Sequence, residues 1–399
     1  MRPELAVTGL GAVSPVGLGR SALHEAFGAP AAARARAFEG PSTVLAHDRF
    51  PEARTAEVRD FDPAVHLGKK GHRNFDRLTY YLVVAAKQAL EDAGVKAEGA
   101  FVGTLGPAQL GICSATAYGS LDSITELNLV AELEDPRYLN PARFPNTVTN
   151  AAAGYVSIWE DLRAPNTTVV AGNCGALDAV LTCATHLAHR RGAGFLVGGG
   201  DVVTEALYLA LRRMGAIAGG EARWQPGERG SRGLHLGEGS AYVLVERRAD
   251  AERRGARVEA VLAGYGTSFD PPAEGRLLHA APRSVTRAIE QALADANVSP
   301  ADVDVVASAV SGLSPFDQAE LEGIGAAVGE DVPVAAPKAL WGEAFAGGSA
   351  LALASAVLWV DGAPVGPLVR GRAPTAVRTA VVTAVGYYGN VSAVVVQRP

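Results

Sequence analysis

The chain has 399 residues, is 48% hydrophobic and carries a formal charge of -6, so it can bury one or two large cores and is neither disordered nor fibrous in composition. The acidic balance, and the lack of an Arg/Lys block interleaved with aromatics, argue against a nucleic-acid partner. No stretch reads as a membrane span or signal core, and Cys113, Cys174 and Cys183 are too few for a disulfide framework. A cytoplasmic α/β protein without a membrane segment is expected.

Residues 5–10 predict a first buried strand, followed by an irregular loop through Gly9, Gly11, Gly17 and Gly19 and a helix over 21–27. The glycine spacing superficially matches a dinucleotide fingerprint. Pro15 interrupts the turn-to-helix step, and no acidic residue ends a second strand at the right distance, so no nucleotide site is expected. Residues 28–72 read as a surface excursion. The span 74–93 predicts a long amphipathic helix, with Phe75, Leu78, Leu82, Ala85, Ala86, Ala89 and Leu90 on one side, stopped by Gly94. Strands are expected over 100–104 and 110–115, a polar excursion over 133–145, and then an alanine-rich helix containing Tyr155 and Trp159.

The stretch 168–190, TVVAGNCGALDAVLTCATHLAHR, is the organising element. Val169 and Val170 read as a buried strand, 171–175 as a tight turn and 176–189 as a buried helix. Free amides at such a helix start favour an anion, and the bend raises one side chain. Asn173 and Cys174 compete for that place. His186 and His189 lie about one turn apart on this helix, which resembles a metal pair. No third ligand has compatible spacing, so a polar helix end is the reading taken.

Further strands are expected over 194–200, ending in three glycines, and 241–246, preceded by a Gly/Arg/Glu-rich segment over 223–239. A polar turn over 250–255 and a strand over 258–264 follow. At residue 280 the chain starts over: a helix over 284–297 repeats the earlier one, with ALADAN answering ALEDAG, and a strand over 303–307 follows. Two halves, 1–249 and 250–399, are expected to form one globule, because their strands are too apolar on both faces to stand alone.

Taken together these pieces resemble the β-ketoacyl synthase branch of the thiolase superfamily across nearly the whole chain. The matching landmarks are VTGLGAVSPVG at 7–17, FPNTVTNAAAG at 144–154, the turn and helix at 168–189, GLHLGEGSAYVLVE at 233–246, Pro337–Lys338 and GYYGN at 386–390. The resemblance implies a thiolase-like, internally duplicated α/β fold layered α/β/α/β/α. It also implies chemistry in which a cysteine carries an acyl thioester while two histidines assist decarboxylation and stabilise the developing charge.

By that resemblance the ungapped match places Asn173 at the nucleophile position, Val310 at the first histidine and Glu343, five residues after Lys338, at the second. None of these residues supplies the family chemistry. An amide forms no thioester, and a carboxylate disfavours a developing anion. This pattern resembles the chain-length factor, the ketosynthase β subunit of type II polyketide synthases, as do GALDA at 175–179 and FDQAE at 316–320.

The implied protein pairs with an active ketosynthase as a heterodimer, with 144–162 near the contact, and meets acyl carrier protein transiently. It uses no cofactor and no metal. Lys338 becomes a buried structural partner, since a buried charge persists only when paired. The implied tunnel lies along Tyr118, Leu121, Ile124, Leu127 and Leu129, where ordinary dimer packing is an equal reading. Tyr387 and Tyr388 stand at the family's gate and are expected to close the vestigial pocket. Two rival readings are an active synthase using Cys174 after a one-residue shift and a stand-alone scaffold binding acyl chains or carriers. FPNTVTN keeps a reduced, polyene-type product open alongside an aromatic one.

Overall fold

The computed structural model describes residues 3–219, 224–274 and 278–399; position 223, the start of the Gly/Arg/Glu-rich segment, lies outside them. The strands used below are β1 (Leu5–Ser14), β2 (Leu110–Ala115), β3 (Asn166–Val169), β4 (Gly194–Asp201), β5 (Gly239–Arg247), β6 (Ala260–Phe269), β7 (Val305–Ala307), β8 (Val334–Ala335), β9 (Leu368–Arg370), β10 (Thr379–Val385) and β11 (Asn390–Gln397). They run in the order β9-β8-β7-β10-β11-β6-β1-β5-β4-β2-β3. From the centre outward the first half reads β1-β5-β4-β2-β3 and the second β6-β11-β10-β7-β8. In each half two antiparallel pairings are followed by two parallel ones. The halves meet where Leu5, Ala6 and Val7 pair with Leu262, Val261 and Ala260.

The duplication extends to individual hydrogen bonds. Helix α1 (Arg77–Asp92) lies against β1, and its Gln88 and Asp92 accept from the Ala12 and Leu10 amides, both at 2.9 Å. A later helix, Pro282–Ala296, repeats this with Gln291 and Asp295 accepting from Thr267 and Tyr265 of β6. Both strands slip register once, between Val7 and Gly9 and between Leu262 and Gly264. A Cβ at Gly11 or Gly266 would lie 2.1 Å from a helix carbonyl oxygen, Ala85 or Ala288. Glycine there permits close helix–strand packing.

Helices α2 (Leu121–Leu133), α3 (Ala151–Glu160) and α4 (Gly175–Ala188) follow in the first half; α5 (Pro282–Ala296), α6 (Ser314–Val328) and α7 (Phe345–Val360) belong to the second. Every residue of α7 is buried, as its apolar sequence on all sides requires. It packs with α4 between the inner faces of the two halves, while α1 and α5 cover the outer faces. The result is the layered α/β/α/β/α arrangement of a thiolase-like fold. We propose that the halves divide between residues 249 and 250, within the short helix Arg248–Arg253 that links β5 to β6.

Several local expectations change. The loop expected after residue 10 is strand as far as Ser14, and the long helix begins only at Arg77, capped by the Asp76 carboxylate on the Thr79 amide. The strand expected over 100–104 shrinks to Ala100–Phe101, and the second-half strand to Val305–Ala307. The polar turn over 250–255 is mostly helix, Arg248–Arg253, and the strand expected to stop at 264 continues to Phe269. The strand before the central turn is a half-buried edge strand, and Val170 is 53% exposed. β-branched residues favour a strand but do not say what covers it.

Candidate functional site

The central turn is a short 3-10 segment, Gly172–Cys174, leading directly into α4. Gly172 takes a φ of +56° there, a conformation that glycine adopts without strain. Asn173 is buried and donates from Nδ2 to Glu343 Oε2 at 3.4 Å. Glu343 is fully buried and highly coordinated. It accepts from Lys338 Nζ at 3.0 and 2.7 Å, from the Tyr387 hydroxyl at 2.7 Å and from the Phe345 amide at 2.8 Å.

Local geometry explains the convergence. Lys338 opens the one-turn helix Lys338–Trp341, and Gly342, at φ +71°, reverses the chain toward Glu343. The Glu343 backbone is then fixed on the 235–237 segment, by Glu343 N to His235 O at 2.8 Å and Gly237 N to Glu343 O at 3.0 Å. A Cβ at Gly348 would meet Lys338 Cε at 3.2 Å, so the small residue leaves the ammonium stem its place. Phe345 has a left-handed φ of +49°, a strained backbone for an aromatic residue. Its ring meets Tyr118 at 5.0 Å and Tyr387 at 6.2 Å.

Burial, and next the Glu343 carboxylate, hold the Tyr387 phenol well above its usual range, so it remains a donor; the Asn173 and Ser311 side chains also reach it. Val310, the neighbour of Ser311, is buried in the turn after β7. That turn is held by two buried carboxylates. Asp317 accepts from the Ser311, Gly312 and Gly227 amides, and Glu320 from the Ala309 amide and Thr383 hydroxyl. Burial raises both, Glu320 to about 7. The cluster of Asn173, Lys338, Glu343 and Tyr387 thus holds an amide, an ammonium, a carboxylate and a phenol, mutually hydrogen-bonded. It contains neither thiol nor imidazole.

Sequence comparison agrees with this architecture. The profile for the beta-ketoacyl synthase N-terminal domain matches residues 3–251 and that for the C-terminal domain residues 259–370. The chain belongs to the beta-ketoacyl synthase family. It is 31% identical over 418 residues to the actinorhodin polyketide putative beta-ketoacyl synthase 2 of Streptomyces coelicolor, covering 98% of both chains. It is 29% identical over 372 residues to the 3-oxoacyl-[acyl-carrier-protein] synthase 2 of Coxiella burnetii, covering 89% of this chain and 85% of that one. Among solved structures, the ishigamide ketosynthase/chain length factor has the same fold, with a TM-score of 0.85 at 23% identity over 100% of both chains. Within the family this chain closely resembles the chain-length-factor branch of type II polyketide synthases.

The other ketosynthase-type candidates are distributed unevenly. Cys174 is fully buried and turned toward the second half, its Sγ donating to the Ala384 carbonyl at 3.3 Å and the Asn390 carbonyl at 3.6 Å. Burial, and secondarily Asp178, push its thiol up to about 12. The helix start therefore does not activate it, because desolvation outweighs the weak field of the α4 N-terminus. Tyr387 enters the cluster, whereas Tyr388 is 59% exposed, so the two rings do not fill one pocket as expected. Of the tunnel candidates, Tyr118 and Leu121 pack in one cluster with Phe345 and Tyr387. Ile124 and Leu127 are half-buried further along α2, and Leu129 is exposed.

His186 stacks on Phe195 and bonds Thr167 at 3.2 Å, while His189 is exposed. Among the described residues no group of three His, Cys, Asp or Glu is placed to hold a metal, and no helix is long and apolar enough to cross a membrane.

Sequence reasoning missed Asp201. It ends β4 directly after the three glycines and accepts from Thr116 Oγ1 and from the Ala117, Tyr118 and Ala346 amides at 2.8–3.2 Å. Burial pushes it up to about 7. It ties the Tyr118 turn to the start of α7, beside Glu343. The only signal was a carboxylate closing an otherwise apolar strand.

Proposed function

We propose that this chain is a non-catalytic chain-length factor, which pairs with an active β-ketoacyl-[acyl-carrier-protein] synthase and shapes the acyl tunnel in type II polyketide elongation. The observation that carries the reading is the Asn173–Glu343–Lys338 cluster. The nucleophile position holds an amide already bonded to a carboxylate, and that carboxylate occupies a position where the family chemistry needs donors toward an anion. Val310 supplies no donor from its side chain.

Pairing is supported by an apolar face. Leu129, Leu133, Phe144, Val148, Ile158 and Val170 are each at least half exposed. They sit on α2, the 3-10 segment Pro141–Thr147 and its end, α3, and the end of edge strand β3, elements that contact one another. Such a surface is characteristic of an interface, and β3 offers an unpaired strand edge beside it. The ketosynthase partner would cover this face, with 144–162 at the contact. Acyl carrier protein would visit transiently, docking mainly on the partner. Neither cofactor nor metal enters the proposed chemistry.

In this reading Tyr118 and Leu121, which pack next to Phe345, are the first candidates to close the tunnel, followed by Ile124 and Leu127; Tyr387 shuts the vestigial pocket. Reconstitution tests the proposal. The ketosynthase partner, carrier protein and malonyl thioester should yield full-length product only when this chain is present. Ile158→Asp should abolish co-purification with the partner. Product of unchanged length from the ketosynthase alone would contradict the assignment.

A further inference from the structure

Helix α2 carries one solvent-facing stripe whose two halves differ in chemistry. Asp122, Glu126, Leu129 and Leu133 follow one another at spacings of four, three and four residues, which puts them in one narrow sector of a helix. All four are exposed, Leu129 by 52% and Leu133 by 76%. The leucines belong to the apolar face described above, and the carboxylates extend that face toward the start of α2.

Neither carboxylate has a hydrogen bond or ion pair among the described residues. The guanidinium near Asp122, that of Arg77, is already bonded to Glu238. Desolvation by its surroundings raises Asp122 to about 6 although one side stays open to solvent; Arg77 opposes the rise, and Asp76, Glu238 and Glu126 reinforce it. An acid suits the first turn of a helix, which accounts for Asp122, but that effect fades within a turn and does not reach Glu126.

Covering an unpaired carboxylate with an apolar surface is costly, and a cation set against it offsets the cost. The charged residues of α2, Pro141–Thr147, α3 and β3 are Asp122, Glu126, Glu132, Glu160 and one cation, Arg143. Buried Glu160 is taken up by Lys96. A two-fold contact between copies of this chain brings the same elements from both sides, and so sets several carboxylates against one arginine per copy.

We propose that the α2 face is built for a different chain, one that lays apolar side chains on Leu129 and Leu133 and places an arginine or lysine between Asp122 and Glu126. Resting on the chain-length-factor reading, that chain is the ketosynthase subunit, and the two carboxylates discriminate it from a second copy.

Titration of the ketosynthase with the full-length parent and its variants, at low and at high salt, tests this. The parent should bind more weakly as salt rises. Asp122→Asn/Glu126→Gln should lower the affinity by about tenfold at low salt and flatten the salt response. Glu132→Gln/Glu134→Gln, which removes equal charge outside the stripe, should match the parent. Asp122 and Glu126 are exposed, so their variants should fold as the parent does, and thermal melts check this. Sedimentation of the parent alone should show no self-pair as tight as the pair with the ketosynthase. The proposal is overturned if the stripe variant pairs as tightly as the parent with the same salt response, if the Glu132/Glu134 variant weakens pairing equally, or if the parent self-associates as tightly as it binds the ketosynthase. A parent that does not bind the ketosynthase at all overturns the chain-length-factor reading and this proposal together, whereas pairing that ignores the two carboxylates overturns this proposal only.

Discussion

The buried pair at the centre of the candidate site makes a demanding prediction about stability. Lys338 and Glu343 are 3% and 0% exposed at their side chains and 2.7 Å apart. Replacing Lys338 with Met keeps the stem's volume and removes the ammonium, stranding Glu343 with only the Tyr387, Asn173 and Phe345 donors. Breaking a buried pair in this way costs roughly 3–5 kcal/mol, whereas replacing both charges is far milder. Lys338→Met and Glu343→Gln should therefore each lower the urea midpoint strongly. The double variant should recover most of the loss, with a coupling energy on the order of 2 kcal/mol or more. Strictly additive losses, or single-variant losses below about 1 kcal/mol, would refute the claim that this cluster is a sealed ion pair.

Other predictions follow from the same coordinates. Asp201 is buried and protonates near pH 7 when folded, well above an unfolded aspartate. Between about pH 4 and 7 the folded state binds the extra proton, so this group's contribution to stability falls as pH rises through that window and is flat above it. Subtracting an Asp201→Asn stability profile from that of the parent should reveal a negative slope there, and a flat difference would contradict the burial argument. A thiol-alkylating reagent at pH 8 should leave Cys113, Cys174 and Cys183 unmodified in the native protein and label all three in denaturant, because all are buried. Rapid native labelling of Cys174 would revive it as a nucleophile. Gly11→Ala and Gly266→Ala should destabilise by similar amounts, about 1–3 kcal/mol, since both meet a helix carbonyl at 2.1 Å; a neutral effect at either would break the symmetry argument. Tyr118→Ala or Leu121→Ala should lengthen the product if the side chain closes the tunnel. A loss of about 2–5 kcal/mol with unchanged product length would make it core packing instead.

The sequence shows the duplication clearly, because ALEDAG and ALADAN fall at equivalent places on two helices of the same period. Its closest expression, Gln88 and Asp92 mirrored by Gln291 and Asp295 across two register slips, was not legible. A register slip leaves no compositional trace. Val169 and Val170 misled for a related reason. An apolar strand covered by a partner and one covered by its own core have the same pattern, and only the sheet order places this one at the edge. At the site, spacing from recognisable motifs singled out Asn173 and Glu343, but not that they touch across 170 residues of chain. Asp201, Asp317 and Glu320 escaped because a buried carboxylate that accepts backbone amides looks, in sequence, like any surface acid. Tyr387 and Tyr388 are alike in sequence, and only the folded turn separates the ring held by Glu343 from the exposed one.

Intact-protein mass after incubation with an acyl-carrier thioester tests the central claim most directly, on this chain alone and together with its co-expressed ketosynthase. The account predicts no acyl adduct on this chain and an adduct on the associated partner. An adduct on this chain alone, lost in Cys174→Ala, would contradict it and return the catalytic step to this subunit.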